Sequence, residues 1–165
     1  MPFAKWRKFM VGQGSGRAGF VGLFKQSTTA VGSVGAGEDN LQSLTLEADA
    51  LYKNGQAVRI TAFGSCAANG NNKTVKLHFG GTSICTTGAI AANDKKWILR
   101  ALVIRTGSDA QDAIADGQFN DALVIPQFTA LTKDDGAAII VKCTGEATAD
   151  NDIVQEGMTI EALTV

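Results

Sequence analysis

His78 is the one histidine of the chain, and it stands between Leu77 and Phe79 in a stretch where every second residue is apolar. A serine triad would have to use this imidazole as its base, because no other exists. A histidine-based metal site meets the same obstacle, with no second His or paired Cys to share the ion. A surface position on a strand is expected for it. Carboxylates are more plentiful. Asp109, Asp112, Asp116 and Asp121 gather in one polar stretch, Asp134 and Asp135 precede a glycine, and Asp150, Asn151 and Asp152 read as a turn. Calcium would suit such loops, but the D-x-[DN]-x-[DN]-G order that wraps it is absent. Gly14, Gly16 and Gly19 spell a literal G-x-G-x-x-G, with Glu38 about twenty residues on. A dinucleotide site also needs a buried strand before that motif and a helix opening at its last glycine. Gly22, Gly32, Gly35 and Gly37 break the following segment, so no useful helix fits. The expectation is a protein without catalytic residues, metal or cofactor.

Cys66, Cys85 and Cys143 are odd in number, far apart and without a C-x-x-C. Buried free thiols in a protein made in a reducing cytosol are expected. No run of about 18 apolar residues is present, so no membrane-spanning helix is expected. The basic N-terminal region is not followed by a continuous apolar stretch, which argues against a cleaved secretory signal.

The chain has 165 residues, enough for one domain with a real core and an appendage. Its net charge of −1 conceals an asymmetry. Residues 1–26 hold Lys5, Arg7, Lys8, Arg17 and Lys25 and no acid, so the remainder carries −6 against their +5. The same segment contains Phe3, Trp6, Phe9, Phe20 and Phe24, five of the eleven aromatics. Phe3, Trp6 and Met10 would share one side of a helix, but about ten residues make a marginal helix alone. The composition reads as an arm that binds a protein surface through Phe3, Trp6, Arg7, Phe9, Arg17, Phe20 and Phe24, since aromatics and Arg dominate such contacts. Five charges over 26 residues are too thin for nucleic acid or a membrane surface. Residues 1–32 are taken as arm and linker, 33–165 as the body.

The body is organised around Asn54–Gly81. Val58, Ile60, Ala62, Gly64 and Cys66 alternate with Arg59 and Thr61, and Val75, Leu77 and Phe79 alternate with Lys76 and His78. That period of two predicts strands with one face on a core. Asn69-Gly70-Asn71-Asn72 between them tolerates the positive φ of a hairpin reversal. Ala30–Gly37 reads as linker or short strand, and Ser43–Ala48 as a strand with Leu44 and Leu46 inward. Thr82–Thr87 has Ile84 on one face and Cys85 on the other. Lys95–Thr106 is apolar on both faces, which predicts a central strand covered by a second sheet and a neighbouring subunit. Ser108–Asn120 fits either a short helix or a polar edge strand. Pro126 interrupts Ala122–Thr132, which suits an edge strand or a kink. Gly136–Thr148 places Ile139, Val141 and Cys143 together, and Asn151–Glu156 and Met158–Val165 read as two strands parted by Gly157. Eight or nine strands without long helices predict an all-β sandwich.

From Gly35 onward, GAGEDNL, then NGQAVRITAFGSCAANGNNKTVKLHFGGT, then WILRALVIRTG follow one another in an order that resembles small jelly-roll virion proteins of tailed bacteriophages. The resemblance covers about residues 33–165, most specifically Asn71–Gly81 and Trp97–Gly107. It is strongest to capsid decoration (cement) proteins, with tail- or fibre-associated domains beside them. It implies a jelly-roll-like antiparallel sandwich, a homotrimer, the major capsid protein as partner and a place on the capsid exterior of a virion made in the host cytoplasm. It carries no catalytic residue with it. Binding of host glycans through loops Ala68–Asn72 or Asp109–Asp121 is the alternative, with Tyr52 and Phe119 as the aromatics on offer.

Overall fold

In a computed structural model of the chain, residues 20–120 and 122–164 are described. The strands, in chain order, are β1 (Phe20–Ser27), β2 (Val31–Gly32), β3 (Gly37–Leu46), β4 (Ala57–Cys66), β5 (Asn72–Phe79) and β6 (Thr82–Thr86). They continue with β7 (Ile90–Ala91), β8 (Lys96–Gly107), β9 (Ala110–Phe119), β10 (Ala122–Leu131), β11 (Ile139–Ala147) and β12 (Ile153–Thr164). One sheet runs β1-β12-β4-β8-β9-β10 with β2 beside β12, and the other runs β3-β11-β5-β6 with β7 beside β5. Every pairing among the described residues is antiparallel. The expected jelly-roll-like sandwich is the fold observed.

Period-two alternation explains the layering. Val58, Ile60, Ala62, Leu99, Val103 and Ile160 point inward from one sheet and meet Leu46, Val75, Leu77, Phe79 and Val141 from the other. Arg59, Lys76 and His78 project from the outer faces, as the alternation requires. Close approach between strands imposes glycine at Gly117, where a Cβ would lie 2.4 Å from the Ile98 carbonyl oxygen.

Several local expectations need correction. β4 and β5 do not form a hairpin: β4 pairs with β12 and β8, whereas β5 pairs with β11 and β6. Gly70 and its neighbours lack positive φ among the described backbone angles, and the chain crosses there from one sheet to the other. The tight hairpin lies one strand later, where Gly80 (φ 56°) and Gly81 (φ 81°) join β5 to β6 in the left-handed pair a two-residue reversal needs. Ile84 and Cys85 are both buried, because the β5–β6 register shifts at Leu77/His78. Ser108–Asn120 is neither helix nor edge: β9 lies between β8 and β10 and turns Ala113 and Ala115 inward. The last two strands are one, β12, with a register shift between Gln155 and Gly157. β10 is an edge strand, and Pro126 falls inside its irregular segment between Val124 and Gln127.

Residues 20–32, assigned by composition to the arm and linker, supply β1 and β2 of the larger sheet. Phe24 packs against the core. Phe3, Trp6, Arg7, Phe9 and Arg17, and with them the G-x-G-x-x-G motif, lie outside the described residues.

Candidate functional site

The outer face of β3, β11 and β5 carries a connected group of polar side chains. Alternation on β5 sends Lys76 and His78 to this face, and alternation on β11 sends Lys142, Thr144 and Glu146 there. The register sets Thr144 opposite Asn40 on one side and Lys76 on the other, with Lys142 opposite His78. Glu38 from β3 sits at the centre. Its carboxylate accepts from Lys76 Nζ at 2.6 Å and from Thr144 Oγ1 at 2.6 Å. His78 Nε2 is 3.1 Å from Thr144 Oγ1. Since the threonine proton goes to Glu38, Nε2–H is the donor in that pair, which assigns the tautomer of the neutral ring. Lys142 Nζ donates to Asn40 Oδ1 at 2.6 Å.

Electrostatics hold these groups in fixed states. The hydrogen bond from Lys76 lowers the Glu38 pKa most, followed by that from Thr144. The same pair raises the Lys76 pKa. Burial lowers the His78 pKa below its ordinary 6.5, and the Lys142 charge lowers it further against the opposing pull of Glu38. Burial therefore favours the neutral ring, and His78 is not a charged anchor.

Beside this cluster lies an open groove of about 510 Å³ lined by Asn40, Ser43, Gly80, Gly81, Ala138, Ile140 and Lys142. Ile140 is half exposed and gives the groove an apolar wall. Small residues at Gly80, Gly81 and Ala138 keep it open. The face thus combines fixed acceptors, fixed donors and one aliphatic contact within a shallow concavity.

The acids singled out in the sequence serve other ends. Asp135 is buried and receives Arg105 Nε at 2.6 Å, Gln111 Nε2 at 2.6 Å and the Asp109 amide at 2.9 Å, which latches the β8–β9 turn to the loop before β11. Asp112 and Asp116 stand on the outer face of β9, and Asp116 faces Arg100 at 3.8 Å. Asp121 lies outside the described residues. Among the described residues, no three of His, Cys, Asp or Glu converge as metal ligands. Of the aromatics named for glycan contact, Tyr52 is exposed but Phe119 is buried in the core. The sequence placed Lys76 and His78 on an outer face yet missed Glu38, Asn40, Lys142 and Thr144, which reach them only through long-range strand pairing.

No family model and no curated protein sequence matches the chain. Among solved structures, it is similar to the sugar-binding EclA C-terminal domain, at 14% identity over 84% of this chain and 81% of that one, with a TM-score of 0.42. It is also similar to the CBM2 module of the evolved Dit protein of Lactobacillus casei BL23 phage J-1, at 11% identity over 74% and 69% of the two chains, TM-score 0.39. Caenorhabditis elegans galectin LEC-6 follows, at 14% identity over 75% and 95%, TM-score 0.32. At these scores none of the three assigns a function to this chain.

Proposed function

We propose that the chain is a non-enzymatic virion protein whose β3-β11-β5 face binds a glycan of the host surface. The observation that carries this reading is the pre-arranged Glu38–Lys76–Thr144–His78 network beside the groove of Asn40, Ser43 and Lys142. Sugar hydroxyls donate and accept at once, so they fit a surface that offers fixed groups of both kinds. An apolar ring face finds Ile140. Acids and bases alternate here, so the face is not the uniform positive patch that a phosphate backbone selects. The virion setting rests on the sequence resemblance of residues 33–165.

Glycan-array screening of the full chain, followed by calorimetry with Asn40→Ala and Lys142→Ala, tests it. Saccharide binding that both substitutions weaken is the expected result. Absence of binding, or binding indifferent to both, overturns it.

A second reading is capsid decoration, favoured by the basic, aromatic composition of residues 1–26. Several weak arms on one assembly would give high avidity on a lattice. Sedimentation with undecorated capsids tests this. Full-length protein should pellet with the shells, and replacement of Phe3, Trp6 and Phe9 by Ser should release it. Equal binding by both forms overturns the arm as anchor.

A further inference from the structure

The outer face of β4, β8, β9 and β10 lies on the opposite side of the sandwich from the polar cluster, and it is arranged in rows. In one row Arg59, Leu102, Ile114 and Phe128 are successive register neighbours across the four strands. The next row on β8 and β9 is Arg100 with Asp116. The row after that is Phe63, Ile98, Gln118 and Leu123. Leu123 is 79% exposed, Phe128 68% and Ile114 52%, and Phe63 and Ile104 are also exposed. Ordinary surfaces scatter such residues singly, whereas here they share one sheet face. The free edge cannot simply be extended, because Pro126 offers no N–H and β10 is irregular between Val124 and Gln127. Whatever covers these side chains must therefore cover the face.

We infer that the occupant is a second copy of this chain, related by a two-fold axis that runs parallel to the strands between β8 and β9. Such an axis lays β8 of one copy over β9 of the other without changing rows. Arg100 then meets the second copy's Asp116, and its Asp116 meets the second copy's Arg100. Leu102 meets the second copy's Ile114, Phe63 meets its Leu123, and Phe128 lies over the guanidinium of its Arg59. The face is thus complementary to itself in charge and in apolar contact, as an isologous interface requires. Ile98 with Gln118 and Ile104 with Asp112 fall toward the rim, where polar groups keep water. Four strands about 4.8 Å apart and four rows about 6.8 Å apart give roughly 500 Å² of sheet per copy, near the lower bound for a specific interface. The dimer should accordingly be concentration-dependent. This inference is independent of the glycan reading, which uses the other sheet.

A charge-swap experiment on the full-length chain tests it. Sedimentation velocity over a concentration series should show the wild type moving from monomer to dimer. Arg100→Asp sets Asp against the second copy's Asp116, and Asp116→Arg sets Arg against Arg100. Each alone should weaken self-association about tenfold or more. Mixed together they should form a heterodimer, because every opposed pair is then of opposite sign. Circular dichroism confirms that both variants remain β-rich. A wild type that stays monomeric, a trimeric mass, or two variants that fail to pair when mixed overturns the inference. So does an Ile114→Lys variant that dimerises as the wild type does, which would leave residues 1–19 or another protein as the cover for this face.

Discussion

Lys73 and Asp152 are joined through one side chain: Asn69 Oδ1 accepts from Lys73 Nζ at 2.7 Å, and Asn69 Nδ2 donates to Asp152 Oδ1 at 2.5 Å. Lys73 is fully buried, and its ammonium also reaches the carbonyls of Asn69, Asn71 and Ala92. Asp152 in turn gathers Asn71 Nδ2, Thr148 Oγ1 and the amides of Thr148 and Ala149. Three loops at one end of the sandwich are therefore tied together through this buried lysine. Lys73→Met should leave several buried oxygens without donors and lower stability by about 3 kcal/mol. Urea denaturation of both forms checks it, and a loss below that of an ordinary surface substitution would mean that water replaces the ammonium.

Acid should weaken the fold in two separate windows. His78 has a lowered pKa, so between its folded value and the ordinary 6.5 the unfolded chain binds the extra proton. Stability is lost as pH falls below about 6.5 and then levels off. Asp152 acts later. Burial would raise its pKa, but hydrogen bonds from Asn69, Asn71 and Thr148 outweigh that and hold it at about 2. Its contribution is complete above the ordinary 3.8 and fades between that value and about 2. Glu38, lowered from 4.5 by Lys76 and Thr144, adds to the same acid loss. Thermal melts at successive pH values should show the first window disappear in His78→Gln while the second remains.

The three thiols should be silent in the native protein. Burial raises Cys66 and Cys85 to about 11, and Cys143 still further. A thiolate is the reactive species, so Ellman's reagent at pH 8 should titrate none of them in folded protein and all three after denaturation. Rapid labelling of one thiol without unfolding would contradict their placement in the core.

Strand existence was legible because alternation is local. Val58 to Cys66, Trp97 to Val103 and Ile139 to Cys143 all bury the residues that their period marks. Pairing was not legible. Asn69-Gly70-Asn71 resembles a hairpin turn in composition, yet the side chains of Asn69 and Asn71 are used to hold Asp152, 83 and 81 positions along the chain. β9 was equally opaque, since Ala113, Ala115 and Gly117 are too small to announce a buried face. Glu38 and Thr144, 106 positions apart, become neighbours only through the β3–β11 register. The candidate site was therefore half readable, on β5 alone.

Gly64 faces Trp97 across the β4–β8 pairing, and this contact yields the sharpest test of the core. A Cβ on Gly64 would lie 2.0 Å from the Val154 carbonyl oxygen and 2.7 Å from the indole ring. Neither neighbour can yield cheaply: the carbonyl belongs to β12, which pairs with β4, and Trp97 is almost wholly buried. Gly64→Ala must therefore push β12 away or turn the indole out of its packed position. Overpacking of a rigid core costs about 1–3 kcal/mol, and backbone displacement adds to it. Trp97→Phe alone should cost less, because it removes atoms without moving a strand. Combining the two should recover part of the loss, since the smaller ring vacates space beside the new methyl group. Denaturation midpoints of the two single variants and the double variant check this. Losses that merely add would show that the Val154 carbonyl, not the indole, sets the requirement for glycine.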